Sequence, residues 1–133
     1  MPSPLPLAVT LTTACILTLL YLVLTVHVVR GRWRHRVSLG DGGNDELRAR
    51  VRVHGNFGEY VPLALILMGL LETANGNPVI LTIIGALLIA VRVLHVFGIQ
   101  RGGANALRVL GAGGTFLLLA VLAIWGLILV LTA

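Results

Sequence analysis

Residues 79–99 read VILTIIGALLIAVRVLHVFGI, a run in which Arg92 is the only formal charge and His95 the only other ionisable group. At about 1.5 Å of rise per residue, a helix of this length covers the roughly 30 Å hydrocarbon core of a bilayer. A soluble domain has no need of so long an apolar helix. An arginine within it is costly in lipid unless it is paired or put to use.

Working outward, the run is bounded by helix breakers. Before it lies the turn Ala74-Asn75-Gly76-Asn77-Pro78, and after it the glycine-rich connector Gln100 to Asn105. A second apolar segment, about 57–73, ends at the first of these boundaries, and the charged but helix-compatible stretch 45–56 extends it backwards. Another covers about 5–29 and a last one about 106–132. The helices expected are therefore about 5–29, 45–73, 79–99 and 106–132. Short connectors predict an all-α membrane protein, a four-transmembrane-helix up-down bundle forming one domain over 1–133.

Composition agrees. Of 133 residues, 57% are hydrophobic and 11% charged, more apolar surface than a soluble domain this small can hide. The lone Cys15 lies in an apolar stretch, which excludes an intrachain disulfide framework and reads as packing. Thr12 and the absence of a basic leader speak against a lipoprotein cleavage box at Cys15. There is no phosphate-binding G-x-x-x-x-G-K loop, no H-E-x-x-H or paired-cysteine metal site and no G-x-S-x-G elbow. Neither a metal nor nucleic acid is expected as a partner.

All ten basic residues other than histidine are arginines, and seven of them lie between Arg30 and Arg52. The other three, Arg92, Arg101 and Arg108, flank or occupy the third connector. An even number of spans puts that connector on the same side as the first, so the positive-inside rule makes connectors 30–50 and 100–105 cytoplasmic. The asymmetry suits a bacterial inner membrane. The run Arg30-Gly31-Arg32-Trp33-Arg34-His35-Arg36 reads as a topology signal in contact with anionic membrane lipids.

The remaining polar residues fall on helix faces. Arg52, Asn56 and Glu59 stand at i, i+4 and i+7, one face of the second helix, with Tyr60 beside them. Pro62 supplies no N–H to the carbonyl of Gly58, so a kink or a freed carbonyl is expected there. Arg92 and His95 share a face of the third helix. Asn105 is a candidate N-cap that would put Arg108 in the first turn of the fourth helix, where unpaired N–H groups and a guanidinium together favour an anion or a thiolate. The bland alternative is an internal ion-pair network of Arg52, Arg92 and Glu59, with Arg108 snorkelling to headgroups. Gly111-Ala112-Gly113-Gly114 and Gly85-Ala86 read as surfaces for close helix packing.

The segment Arg52-Val53-His54-Gly55-Asn56-Phe57-Gly58-Glu59-Tyr60-Val61-Pro62 resembles the R-x-x-x-N-x-x-E-[YF]-x-P signature of the MAPEG family, the membrane-associated proteins of eicosanoid and glutathione metabolism. Every defining position is matched, and the family's four-helix layout spans essentially the whole chain. The resemblance implies a homotrimer with glutathione as co-substrate, bound between subunits on the cytosolic side, and a lipophilic small-molecule substrate arriving from the bilayer. It implies that Arg52 binds a glutathione carboxylate, Asn56 its backbone and Glu59 its ammonium group, with Tyr60 lining the pocket. Arg92-Val93-Leu94-His95 resembles the R-x-x-H form of the prostaglandin E synthase branch. Arg108 follows Arg92 by the sixteen positions that separate the corresponding arginines there, which makes it the candidate catalytic residue, with Arg92 and His95 as further binding residues.

Two positions depart from the pattern. Ile99 stands where well-studied members carry a tyrosine that helps hold glutathione, and Val109 replaces a polar residue. Poor glutathione binding, a different thiol or lost catalysis are all compatible with that. The implied activity is that of a glutathione transferase or peroxidase-like enzyme. Two alternatives come from other classes: a non-catalytic lipid-binding or scaffold trimer, and a small proton-coupled exporter using Glu59.

Overall fold

The computed structural model describes residues 5–101 and 105–133, so Gly102 to Ala104 of the expected glycine-rich third connector lie outside the described residues. The described residues form four helices, α1 (Ala8–His35), α2 (Asp45–Thr73), α3 (Pro78–Gln100) and α4 (Ala106–Thr132), and no strand. They run up, down, up and down. Helix α2 touches all three others, whereas α1 and α4 make no contact.

Three helices, α1, α3 and α4, are long and apolar enough to cross a membrane outright. Helix α2 differs because its first turns carry Asp45, Glu46, Arg48, Arg50 and Arg52. Its apolar part, 57–73, is shielded by the other helices: Phe57, Val61, Ala64, Met68 and Leu71 are buried at the centre of the core with Leu17, Leu81, Leu88 and Leu122. On the outside, large apolar side chains such as Leu19, Ile66, Leu117 and Leu127 are exposed. Lipid is the solvent for such a surface, and the chain is an integral multi-pass membrane protein.

Asparagines start three of the helices. The side-chain oxygen of Asn44 accepts the N–H of Leu47 at 2.9 Å, that of Asn77 the N–H of Val79 at 2.9 Å, and that of Asn105 the N–H of Arg108 at 3.0 Å. Helix α1 has no such residue. Leu7 sits at its N-cap in a left-handed conformation (φ 60°) and offers no side-chain hydrogen bond. Glu72, at the far end of α2, takes that role across the helix pair by accepting the N–H groups of Val9 and Thr10 at 2.9 and 2.8 Å. A carboxylate at a helix N-terminus gains from both hydrogen bonds and dipole. Glu72→Ala should therefore cost about 1 kcal/mol, typical of a lost N-cap. Thermal unfolding in detergent reads this as a lowered midpoint, and an unchanged midpoint would contradict the cap.

The apolar stretch of α1 ends near Val29, yet the helix continues to His35 because nothing from Arg30 to His35 breaks it. It stops where Arg36 turns left-handed (φ 53°) and the N–H of Val37 bonds back to the carbonyl of Arg32 at 2.9 Å. The turn that follows is held by Arg48, which donates to Asp41 at 2.8 Å and to Asp45 at 3.0 Å, while Arg50 pairs with Glu46. The hydrogen bond from Arg48 holds the Asp41 carboxyl below the ordinary aspartate range. A depressed carboxylate stabilises the fold above its unfolded pKa of about 3.9 and loses that contribution only as pH falls through the lower folded value. The Asp41 carboxyl carbon should accordingly titrate by NMR below pH 3.9, and in Arg48→Gln return towards it.

Candidate functional site

The polar end of the bundle is assembled around Arg92. Its side chain is fully buried, with one guanidinium nitrogen donating to Asn56 Oδ1 of α2 at 2.9 Å and reaching Thr115 Oγ1 of α4 at 3.4 Å. Its guanidinium carbon lies 5.1 Å from the centre of the Phe57 ring. One side chain of α3 thus ties α2 to α4. The tie leaves Nε and the second terminal nitrogen of Arg92 buried without a hydrogen-bond partner among the described residues.

His95, one turn further along α3, is also buried. Arg92, Arg108 and Arg52 are all near enough to act on it electrostatically, and the Arg108 backbone faces the ring. Unpartnered polar groups such as those of Arg92 are unusual at this depth, because each loses its water without recovering a bond.

The approach of Arg108 to His95 is set by glycine. A Cβ on Gly98 would fall against the backbone of Arg108, one on Gly111 would lie 2.6 Å from the Cα of His95, and one on Gly114 would lie 2.6 Å from a methyl of Val91. Helices α3 and α4 therefore meet backbone to backbone along this seam. The start of α4, with Asn105 capping Arg108 and its amide also donating to the carbonyl of Gly98 at 2.7 Å, is pinned beside the end of α3.

Of the residues singled out in the sequence, Asn56, Arg92, His95 and Arg108 come together directly, with Arg52 close by. Arg52, Glu59 and Arg108 are exposed, while Tyr60 is half-buried, its ring edge-on to Phe116 at 5.1 Å. The alternative of an internal ion-pair network among Arg52, Arg92 and Glu59 does not occur among the described residues. The ion pairs there join only Arg48, Arg50 and His35 to Asp41, Asp45 and Glu46. Thr115 was not foreseeable as a site residue, since one threonine in an apolar helix carries no spacing signal.

Ile99 faces elsewhere. It lines a cavity of about 540 Å³ at the same end, walled by Leu24 and His27 of α1 and by Asp45, Glu46, Arg50 and Val53 of α2. None of the candidate site residues lines it.

The family model for the MAPEG family matches residues 10–128 of the chain. The chain belongs to the MAPEG family. Among curated proteins it is 39% identical over 85 residues to the inner membrane protein YecN of Escherichia coli K12, covering 64% of this chain and 65% of that one. The same figures hold for YecN of Escherichia coli O6:H1. The alignment thus spans just under two thirds of these relatives' length. No solved structure matches. Within this MAPEG member the signature residues of α2 divide by burial: Asn56 turns inward to Arg92, while Arg52 and Glu59 are exposed.

Proposed function

We propose that this MAPEG protein is a membrane-bound glutathione transferase or peroxidase-like enzyme of a bacterial inner membrane, with connectors 30–50 and 100–105 on the cytoplasmic side. In this reading Arg108 stabilises the glutathione thiolate, and a lipophilic electrophile or hydroperoxide arrives through the bilayer. The observation that carries it is the cluster at the α3–α4 seam, where a capped helix start bearing Arg108 stands beside buried His95 and the unpartnered nitrogens of Arg92.

The groups suit the ligand. Glutathione carries two carboxylates, one ammonium group and a thiol, against which the chain sets Arg52, the free edge of Arg92, Glu59 and the cationic start of α4. Arg52 and Glu59 are exposed on one protomer, and Glu59 lies within the span, where lipid would leave its charge uncompensated. A neighbouring subunit in a homotrimer would cover both and close the site between protomers.

In the transfer, the thiol proton leaves to water at the cytoplasmic face, the sulfur bonds to the electrophilic carbon, and the displaced group leaves with the electron pair of its bond. Arg108 acts by favouring the thiolate over the thiol. Lowering a thiol pKa by one to two units corresponds to about 1.4 to 2.7 kcal/mol. Arg108→Ala should thus reduce kcat/KM for conjugation of 1-chloro-2,4-dinitrobenzene by roughly 10- to 100-fold, with Arg108→Lys intermediate. Undiminished activity in the alanine variant would refute the role.

A second reading, a non-catalytic lipid-binding trimer, is favoured by Ile99, which replaces the family's tyrosine and faces α1 and α2 instead of the Arg108 cluster. It predicts no conjugation in the wild-type protein.

A further inference from the structure

The α1–α2 seam carries a second constellation that the glutathione reading does not use. On α1, Thr18, Tyr21, Thr25 and Arg32 stand at i, i+3, i+7 and i+14, one stripe of the helix. Across from it on α2 stand His54, Gly58 and Pro62. Thr25 Oγ1 is 3.1 Å from His54 Nε2, and the Tyr21 ring is stacked on the His54 ring at 4.5 Å. Below this pair opens a cavity of about 230 Å³, lined by Thr18 and Tyr21 of α1 and by Gly58, Val61, Pro62 and Leu65 of α2. Thr18, Gly58 and Pro62 are exposed, so the cavity faces the bilayer laterally.

At the upper end sits Arg32. It is half-buried, its Nε is buried without a hydrogen-bond partner, and it is close enough to His54 to act on it electrostatically. No acid is available to it. The acidic residues of this end, Asp41, Asp45 and Glu46, are taken by Arg48, Arg50 and His35, which leaves Arg30, Arg32, Arg34 and Arg36 without an ion pair among the described residues. Trp33 stands among them, 80% exposed, as a tryptophan does at headgroup level.

The dimensions fit one lipid leaflet. The apolar part of α1, 8–29, rises about 33 Å, which matches the core, so Arg32 lies in the headgroup layer and Thr18 near the midplane. We propose that the α1–α2 seam binds an anionic phospholipid, with its phosphate at Arg32 and one acyl chain running past Tyr21 into the cavity below. The unpaired arginines around Trp33 select the anionic headgroup, and the half-buried Arg32 fixes its position.

Native mass spectrometry of the detergent-purified protein with added phosphatidylglycerol or phosphatidylcholine tests this. Wild type should retain phosphatidylglycerol at least about tenfold over phosphatidylcholine. Arg32→Gln, which removes the phosphate partner, and Thr18→Phe, which narrows the cavity, should each abolish that preference. Arg34→Gln, an exposed arginine outside the stripe, should keep it, and all three should melt like wild type. Equal retention of the two lipids would overturn the anionic headgroup site, and equal loss in Arg34→Gln would replace the seam by diffuse attraction to the arginine cluster. Displacement by millimolar inorganic phosphate would make it a free-anion site. If Arg32→Gln fails to fold, the Thr18→Phe comparison still decides.

Discussion

Gly98→Val and Gly111→Val should each separate α3 from α4 and remove most of the protein's stability at the polar end. At Gly111 any side chain meets the backbone of His95 at 2.6 Å, and at Gly98 it meets the backbone of Arg108. A flexible neighbour could yield, but backbone can move only if a whole helix moves. The cost expected is therefore at the upper end of overpacking, roughly 3 kcal/mol, read as a lower unfolding midpoint in detergent. Gly113→Ala, where an added Cβ meets nothing, is the control and should be silent. Wild-type stability in both valine variants would show that the helices do not approach so closely.

Arg92→Ala should be nearly as damaging, again about 3 kcal/mol, for three reasons that act together. Asn56 loses the donor at 2.9 Å, the Phe57 face loses its cation, and an arginine-sized cavity opens between three helices. Arg92→Met separates structure from chemistry. Methionine restores the volume without the charge, and replacing a buried ionic group by an apolar one is often neutral or better for stability. Stability should recover in Arg92→Met while glutathione binding does not. If methionine restored both, Arg92 would be a packing residue alone.

Much of this fold is legible in the sequence itself. The span 79–99 announces itself by length and apolarity, and the breakers at Ala74–Pro78 mark its start. The MAPEG signature on α2 stands in one contiguous stretch, so a sequence pattern captures it whole. What was not legible depends on pairs far apart in the chain. Nothing at Glu72 indicates that it caps α1 sixty residues earlier, because the partner groups are backbone N–H atoms that have no sequence signature. The same holds for Thr115 under Arg92. The change from aliphatic to arginine after Val29 marks where the apolar stretch ends and not where the helix does, because backbone hydrogen bonds are indifferent to side-chain polarity and continue as far as His35. Asn56 and Glu59 share a helical face by spacing, yet one turns to Arg92 and the other outward; burial by neighbouring helices, which periodicity does not encode, separates them.

The most direct test of the account is a titration of the purified protein with glutathione at neutral pH, following thiolate absorbance in the ultraviolet, with Arg108→Ala in parallel. A thiolate signal that saturates in the wild type and vanishes in the variant is the predicted result. A wild-type protein that binds glutathione with no thiolate signal, or a signal that survives the loss of Arg108, would contradict it.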